Sequence, residues 1–221
     1  MEVDQVMSII EEISEAIVKG KVKLVKELVP AAIEQGHSAQ EILNDGLLHG
    51  MSIISDRFSR NEAFVPEVLV SARAMNKGTE LLKPLLAAEG SKPIGKACIG
   101  TVQGDLHDIG KNLVKLMLES KNIEVIDLGV DVAPERFVQA VVEDGCDICC
   151  CSSLLTTTMP MMAEVVKAME AAGVRDRVKI MVGGAPVTQE YCDQIGADCY
   201  TDDGASCASR AREILLEKYG A

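Results

Sequence analysis

The hydrophobic rhythm of this 221-residue chain changes once, near residue 90, and that change constrains the fold more than any single motif. Up to Ala88 the apolar residues recur at helical spacing. Beyond Pro93 short apolar runs alternate with amphipathic helical stretches. A period of 3.6 gathers side chains on one face of a helix, whereas a short continuous apolar run suits a strand buried on both faces.

In the first part, Val6, Ile9, Ile10, Ile13 and Ile17 mark a helix ending near Gly20. Val22, Leu24, Val25, Leu28, Val29 and Ile33 mark a second that ends at Gly36, with Pro30 inside it predicting a kink. Ser38 followed by Glu41 is a capping-box pattern and opens a third helix running to about Phe58. A fourth starts near Pro66, a residue suited to a first helical turn, and carries Val68, Leu69, Ala72, Met75, Leu81 and Leu82. Residues 1–88 therefore predict a four-helix bundle. The stretch from Ala87 to Pro93 is small and polar without periodicity, and it places a linker over residues 89–93.

In residues 94–221, predicted strands over 96–102, 124–128, 147–152, 178–182 and 198–200 alternate with helices over 109–120, 133–143, 160–172, 188–195 and 204–218. That alternation predicts an α/β domain with a Rossmann-like (flavodoxin-like) five-stranded parallel sheet covered on both faces. Such sheets bind ligands at the carboxyl ends of their strands. The loops after Val102, Ser152 and Val182 are therefore where chemistry is expected.

The first of these loops runs from Gly100 through Gly104, Asp105, His107, Asp108, Ile109 and Gly110 to Lys111 and Asn112. It misses the P-loop, with five residues between Gly104 and Gly110 and Asn112 after the lysine, and the dinucleotide fingerprint is absent too. What remains is a strand-end histidine two residues after an aspartate. A neutral imidazole can give one nitrogen to a metal while the other donates to a carboxylate, which fixes the tautomer. The same residues also read as an ordinary surface loop with Asp108 capping the helix from Ile109. The second loop is a run of hydroxyls, Ser152, Ser153, Thr156, Thr157 and Thr158, able to bond a polar ligand or the Asp105 carboxylate, or simply to cap the helix before Pro160. In the third, Gly183 and Gly184 permit a ligand to come close, or make a tight turn.

Composition removes several classes. With 22 basic against 34 acidic residues, the formal charge is −12, and neither half of the chain is basic. A duplex-binding protein needs a basic face for phosphates, so no nucleic-acid partner is expected. No Trp and only three each of Phe and Tyr leave little for stacking single strands. No apolar run approaches the roughly 20 residues of a bilayer span. The acidic, amphipathic start from Met1 to Glu12 is unlike a signal peptide, so a cytoplasmic protein with no membrane partner is expected. The eight cysteines then read as reduced thiols. Cys146, Cys149, Cys150 and Cys151 look at first like a metal site. They span a predicted strand, where alternate side chains face opposite ways, and read better as small buried thiols.

Taken together, Asp105-x-His107-x-x-Gly110, Ser152-x-Leu154 and Gly183-Gly184 form the pattern of the cobalamin-binding domain of methyltransferases. The chain resembles the corrinoid proteins of anaerobic methyltransferase systems, and is similar to the cobalamin-binding region of methionine synthase, over about residues 3–218. The resemblance implies a cobalamin whose dimethylbenzimidazole leaves cobalt, with His107 as lower axial ligand and Asp105 and Ser152 completing a hydrogen-bonded relay. Gly104, Asp108, Ile109 and Gly110 would belong to the cofactor site. Ser152, Leu154, Thr156, Gly183 and Gly184 would line the slot for the nucleotide tail, with Asp203 and Gly204 beside it. Phe58, Val65 and Val68 match the cap over the upper corrin face, although the same residues read equally as bundle core.

The implied function is methyl carriage: cob(I)alamin accepts a methyl group and methylcob(III)alamin donates it. The implied partners are a substrate-specific methyltransferase, an acceptor methyltransferase using tetrahydrofolate or coenzyme M, and a corrinoid reductive activase. Such a chain would be a non-autonomous subunit rather than a stand-alone enzyme. A cobalamin-responsive regulator is the alternative; the acidic charge argues against it.

Overall fold

The computed structural model of the chain describes residues 7–88 and 92–220. Its residues divide into two compact units, Met1–Lys92 and Pro93–Ala221. Val6, expected in the first helix, and residues 89–91 of the expected linker lie outside the described residues.

The first unit is helical: α1 (Ile9–Val18), α2 (Val22–Glu34), α3 (Ala39–Glu41), a π-helical stretch Ile42–Leu48, α4 (His49–Ser59) and α5 (Val65–Ala88). Ser8 and Glu11 form a reciprocal capping box that starts α1, and Ser38 Oγ accepts from the Glu41 amide to start α3. The third predicted helix is present but not uniformly α-helical, since the π stretch separates α3 from α4. That helix packs tightly on α1. Gly46 and Gly50 lie against α1 so closely that an added Cβ would meet Ile13 Cγ2 at 2.9 Å and Ser14 O at 2.5 Å respectively. Ile13, Ile17, Val25, Leu47, Met51 and Leu82 are fully buried in this unit.

The second unit is a five-stranded, all-parallel sheet in the order β2-β1-β3-β4-β5. Its strands are β1 (Lys96–Val102), β2 (Glu124–Val132), β3 (Ile148–Ser152), β4 (Lys179–Gly183) and β5 (Cys199–Tyr200). The helices between them are α6 (Ile109–Glu119), α7 (Pro134–Val142), α8 (Pro160–Ala171), α9 (Gln189–Ile195) and α10 (Gly204–Tyr219). Strands β1, β3 and β4 are the apolar runs Lys-Ala-Cys-Ile-Gly-Thr-Val, Ile-Cys-Cys-Cys-Ser and Lys-Ile-Met-Val-Gly, buried almost throughout. That is the pattern of strands covered on both faces. Phe137 of α7 is fully buried against β1, where a Cβ on Gly100 would meet its ring at 2.9 Å. Burial of such a side chain contributes about 2–3 kcal/mol.

Strand β2 is longer than the sequence predicts, running past Leu128 to Val132 with two register shifts against β1. Its extension carries Gly129 and Asp131 in positive-φ conformations, which break the alternation that marks a strand in sequence. Because β1 leads to β2 on one side while β3 lies on the other, the sheet has its topological switch point between β1 and β3. Thr101 stands opposite Ser152, and Ser152 opposite Gly183. The three candidate loops thus leave the sheet at one level, side by side.

Candidate functional site

The loop after β1 is built around Asp105, whose side chain is fully buried. Its backbone is held first: Asp105 N–H donates to Val102 O at 3.1 Å, and its carbonyl accepts from Asp131 N–H at 3.0 Å. The Oδ1 atom then accepts from the His107 amide at 3.0 Å and lies 2.7 Å from His107 Nδ1. Oδ2 accepts from the Leu154 amide at 2.8 Å and from Thr158 Oγ1 at 2.9 Å. Burial alone would raise this carboxyl. The donors from His107, Leu154 and Thr158 outweigh it and hold the group well below the usual carboxylate range.

An ionised Asp105 at Nδ1 selects the Nδ1–H tautomer of His107, which leaves Nε2 as the ring nitrogen with a lone pair to offer. The His107 side chain is 52% exposed while its partner is wholly buried. The carboxylate is therefore an internal fixture and the imidazole is the part presented outward. Thr101 Oγ1 donates to His107 O at 2.8 Å and anchors the loop a second time.

The resemblance implies a relay through Ser152, and the structure shows a different hydroxyl on Asp105. Ser152 ends β3, pairing by backbone with Thr101 and Gly183. The hydroxyl that reaches Asp105 belongs to Thr158, which in turn lies 2.8 Å from Ser153 Oγ. The turn places it there: Thr158 N–H donates to Leu155 O at 3.1 Å, folding the hydroxyl run back beneath the loop. Leu154 contributes its amide to Asp105 while its side chain stays exposed, and Thr156 is exposed on the same turn.

Gly184 touches this turn more closely than any side chain allows. With φ +137°, an added Cβ would fall 1.8 Å from Ser153 O. Gly183 has only Thr201 O at 3.8 Å, and Gly110 has nothing within 4 Å, so both leave open space where a Cβ would project. Gly104 is required for its backbone, at φ +83°. Asp108 precedes α6, but its side chain does not cap the helix as expected; its Oδ2 accepts from Asn112 Nδ2 at 3.2 Å instead. Asp203 does cap α10, accepting from the Ala205 and Ser206 amides.

Around His107 the loops expose apolar side chains that sequence reading left unremarked: Leu106 at 72%, together with Leu155, beside the expected Ile109 at 75% and Leu154. Their signal was present as leucine and isoleucine in predicted loops, where burial is not the default.

In the helical unit the three cap candidates differ. Phe58 and Val65 are half-buried. Val68 is fully buried in the stripe it shares with Ala72, Met75 and Leu82, so it has no surface to lay on a ligand and is a core residue. Cys146, Cys149, Cys150 and Cys151 are all buried and unbridged. Neighbouring thiols and burial push Cys149 and Cys150 up, toward the neutral form. Among the described residues no group of three or more His, Cys, Asp or Glu could hold a bare metal ion.

The donor set suits a metal already held by a macrocycle: one oriented imidazole, with the exposed apolar residues Leu106, Ile109, Leu154 and Leu155 on the same two loops and the open Gly110 and Gly183 at the start of α6 and the end of β4. A family model described as a B12 binding domain matches residues 95–208, and a second B12 binding domain model matches residues 9–83. A dimethylamine corrinoid protein of Methanosarcina acetivorans is 40% identical over 95% of this chain and 97% of its own length. The chain belongs to the B12-binding corrinoid proteins of methyltransferase systems. Its cofactor is a corrinoid.

Two solved structures place this corrinoid protein among its relatives. The methanol:cobalamin methyltransferase complex of Methanosarcina barkeri contains a chain with 31% identity and a TM-score of 0.86, covering 94% of this chain and 80% of that one. A cobalamin-binding protein of Desulfitobacterium hafniense has 29% identity and a TM-score of 0.78, covering 95% and 99%. Among the described residues, no helix of the corrinoid protein is long and apolar enough to cross a membrane.

Proposed function

We propose that this corrinoid protein carries methyl groups with His107 as lower axial ligand, accepting from a substrate-specific methyltransferase and delivering to a second one acting on tetrahydrofolate or coenzyme M. The observation that carries the reading is the pair formed by buried Asp105 and half-exposed His107 at the sheet's switch point. A bound corrinoid supplies the metal centre on which a methyl group is carried. The chain's own part is to aim Nε2 of His107, hold the proton on Nδ1 against Asp105, and surround the ring with Leu106, Ile109, Leu154 and Leu155. Gly183 leaves room beside β4 for the nucleotide tail, and Gly184 lets the turn after β3 pack close beside it. Thr158 fixes the far oxygen of Asp105, so a proton shared between Asp105 and His107 has one defined path.

The helical unit, residues 1–88, acts in this reading as the cap, with Phe58 and Val65 offering apolar cover. The identity to a dimethylamine corrinoid protein makes methylamine-specific methyltransferases the first donor-side partners to pair with it.

The test is reconstitution of 15N-histidine-labelled protein with hydroxocobalamin, comparing absorption spectra and, after one-electron chemical reduction, the cobalt(II) paramagnetic resonance of the parent chain and His107→Ala. Nitrogen coupling from a histidine that disappears in His107→Ala is expected. Uptake with identical spectra in both would remove His107 from cobalt.

A further inference from the structure

Three described non-glycine residues adopt positive φ: Asn61, Asn122 and Asp131. The two asparagines follow the helices α4 and α6, where such turns are common. Asp131 is different. It lies inside a strand, the irregular end of β2, with φ 53°. A non-glycine residue held there costs free energy that the surroundings must repay.

What Asp131 obtains in that conformation is a two-point hold on the loop after β1. Its carboxylate Oδ1 accepts from Gly104 N–H at 2.7 Å, and its own N–H donates to Asp105 O at 3.0 Å. Gly104 is itself in a left-handed conformation, φ +83°, so the chain reverses direction within that hold. Asp105 N–H is bound to Val102 O. Both backbone polar groups of Asp105 are thereby satisfied, and the backbone from which its side chain projects toward His107 is held in place.

We propose that Asp131 is a positioning residue for the axial histidine. By gripping Gly104 and Asp105 from the neighbouring strand, it sets the angle at which Asp105 meets His107 Nδ1. It acts through the loop, its own hydrogen bonds going to Gly104 and Asp105 and none to the imidazole. The inference rests on the reading of His107 as axial ligand.

The experiment compares Asp131→Asn, Asp131→Gly and Asp131→Ala in the full chain. Without corrinoid, two quantities are read by nuclear magnetic resonance: the exchange rate of the Gly104 amide and the ring nitrogen shifts of His107, which report its tautomer. With hydroxocobalamin added, the histidine-dependent spectrum is read. Asparagine tolerates the same backbone and keeps an acceptor, so it is expected to preserve all three readouts. Glycine keeps the backbone at no steric cost but loses the acceptor. Its Gly104 amide should exchange about tenfold faster or more, the factor one charge-assisted hydrogen bond is worth. Its His107 shifts should move toward an average of two tautomers, and the histidine-bound spectrum should weaken. Alanine should lose at least as much, and the glycine variant carries the test where alanine fails to fold.

A parent-like His107 tautomer in Asp131→Gly overturns the proposal. So does a changed tautomer without faster exchange at Gly104, since the bond would then not be its cause. Should the parent chain itself show no His107-dependent spectrum while the ligand-free readouts behave as expected, the axial reading fails and the positioning of His107 by Asp131 stands.

Discussion

Thr158 Oγ1 stands 2.9 Å from Asp105 Oδ2, and that contact ties the loop after β3 to the loop after β1 across the switch point of the sheet. The hydroxyl also lies 2.8 Å from Ser153 Oγ, so it is one link in a buried chain rather than an isolated bond. Thr158→Val removes the donor at almost constant volume and leaves a buried carboxylate short of a partner. An expected loss of about 1.5–3 kcal/mol of stability follows from removing a hydrogen bond to a charged group. Ser152→Ala should stay within about 0.5 kcal/mol. Urea unfolding of the two variants decides between them, and equal losses would return the relay to Ser152.

The glycines near the site divide into two kinds, and alanine separates them. At Gly184 the added carbon would collide with the Ser153 backbone at 1.8 Å, and neither strand can yield without breaking sheet bonds. Gly184→Ala is expected to cost about 3 kcal/mol or more and to lower the melting temperature markedly. Gly110 lies in the first turn of α6 with nothing within 4 Å. Gly110→Ala should therefore leave the ligand-free fold intact, or stabilise it by about 0.5–1 kcal/mol through helix propensity. If the open space there serves the corrinoid, the same variant will take up cobalamin more weakly. Unchanged uptake would remove Gly110 from the binding site.

The α/β half was legible because two periods rarely imitate each other: apolar runs of five to seven residues, broken by helices with one apolar face, leave little choice of topology. The histidine and its aspartate were legible because two residues in a strand-end loop need no tertiary information to be neighbours. Thr158 was not, since five hydroxyl residues fall within seven positions and only the turn at Leu155 decides which one points at Asp105. Asp131 was hidden for a related reason. In sequence it follows Gly129 in what reads as a strand ending, and its role depends on a register shift that arises between β1 and β2. Val68 and its helix neighbours obey one periodicity whether they face a core or a ligand. The π-helical stretch has no local signal either; Gly46 within it lies close against Ile13 of α1, a contact visible only in the fold.

At the opposite end of the sheet, Asp147 gathers the Lys96 amide, Lys218 Nζ and Tyr219 Oη. Burial disfavours its charge, yet these donors prevail and hold the carboxyl below its ordinary value of 3.8. A folded-state value below the unfolded one means that the group contributes stability above the unfolded value, lost as pH falls through the folded one. Stability should thus be flat with respect to this group above about pH 5 and fall toward pH 3. Asp147→Asn is expected to be less stable at neutral pH and to show a shallower decline on acidification. Urea midpoints measured from pH 7 to pH 3 would test this, and parallel curves for the two proteins would show that other carboxylates carry the acid sensitivity.

Lys111 and Lys115 both reach Asp127 from α6, but under different conditions. Lys111 Nζ is 2.6 Å from Oδ1 and 2.7 Å from Asn112 Oδ1, with its side chain only 3% exposed. Lys115 is 3.3 Å from Oδ2 and 30% exposed. Removing Lys111 takes away the buried partner of Asp127 and leaves it the more distant Lys115 and the Gly129 amide, whereas an exposed pair is replaced by water. Lys111→Met is therefore expected to cost about 1–3 kcal/mol, and Lys115→Met less than about 1 kcal/mol. Pairing Lys111→Met with Asp127→Asn should recover part of the loss, since the under-compensated charge disappears with its partner. Because α6 begins at Ile109 and Gly110, the single Lys111 variant should also bind cobalamin more weakly than the double one. Denaturant unfolding and cobalamin titration of the three proteins would check both parts. A Lys111→Met chain as stable as Lys115→Met would mean that Asp127 keeps its charge in water and that α6 is held in place by its apolar face alone.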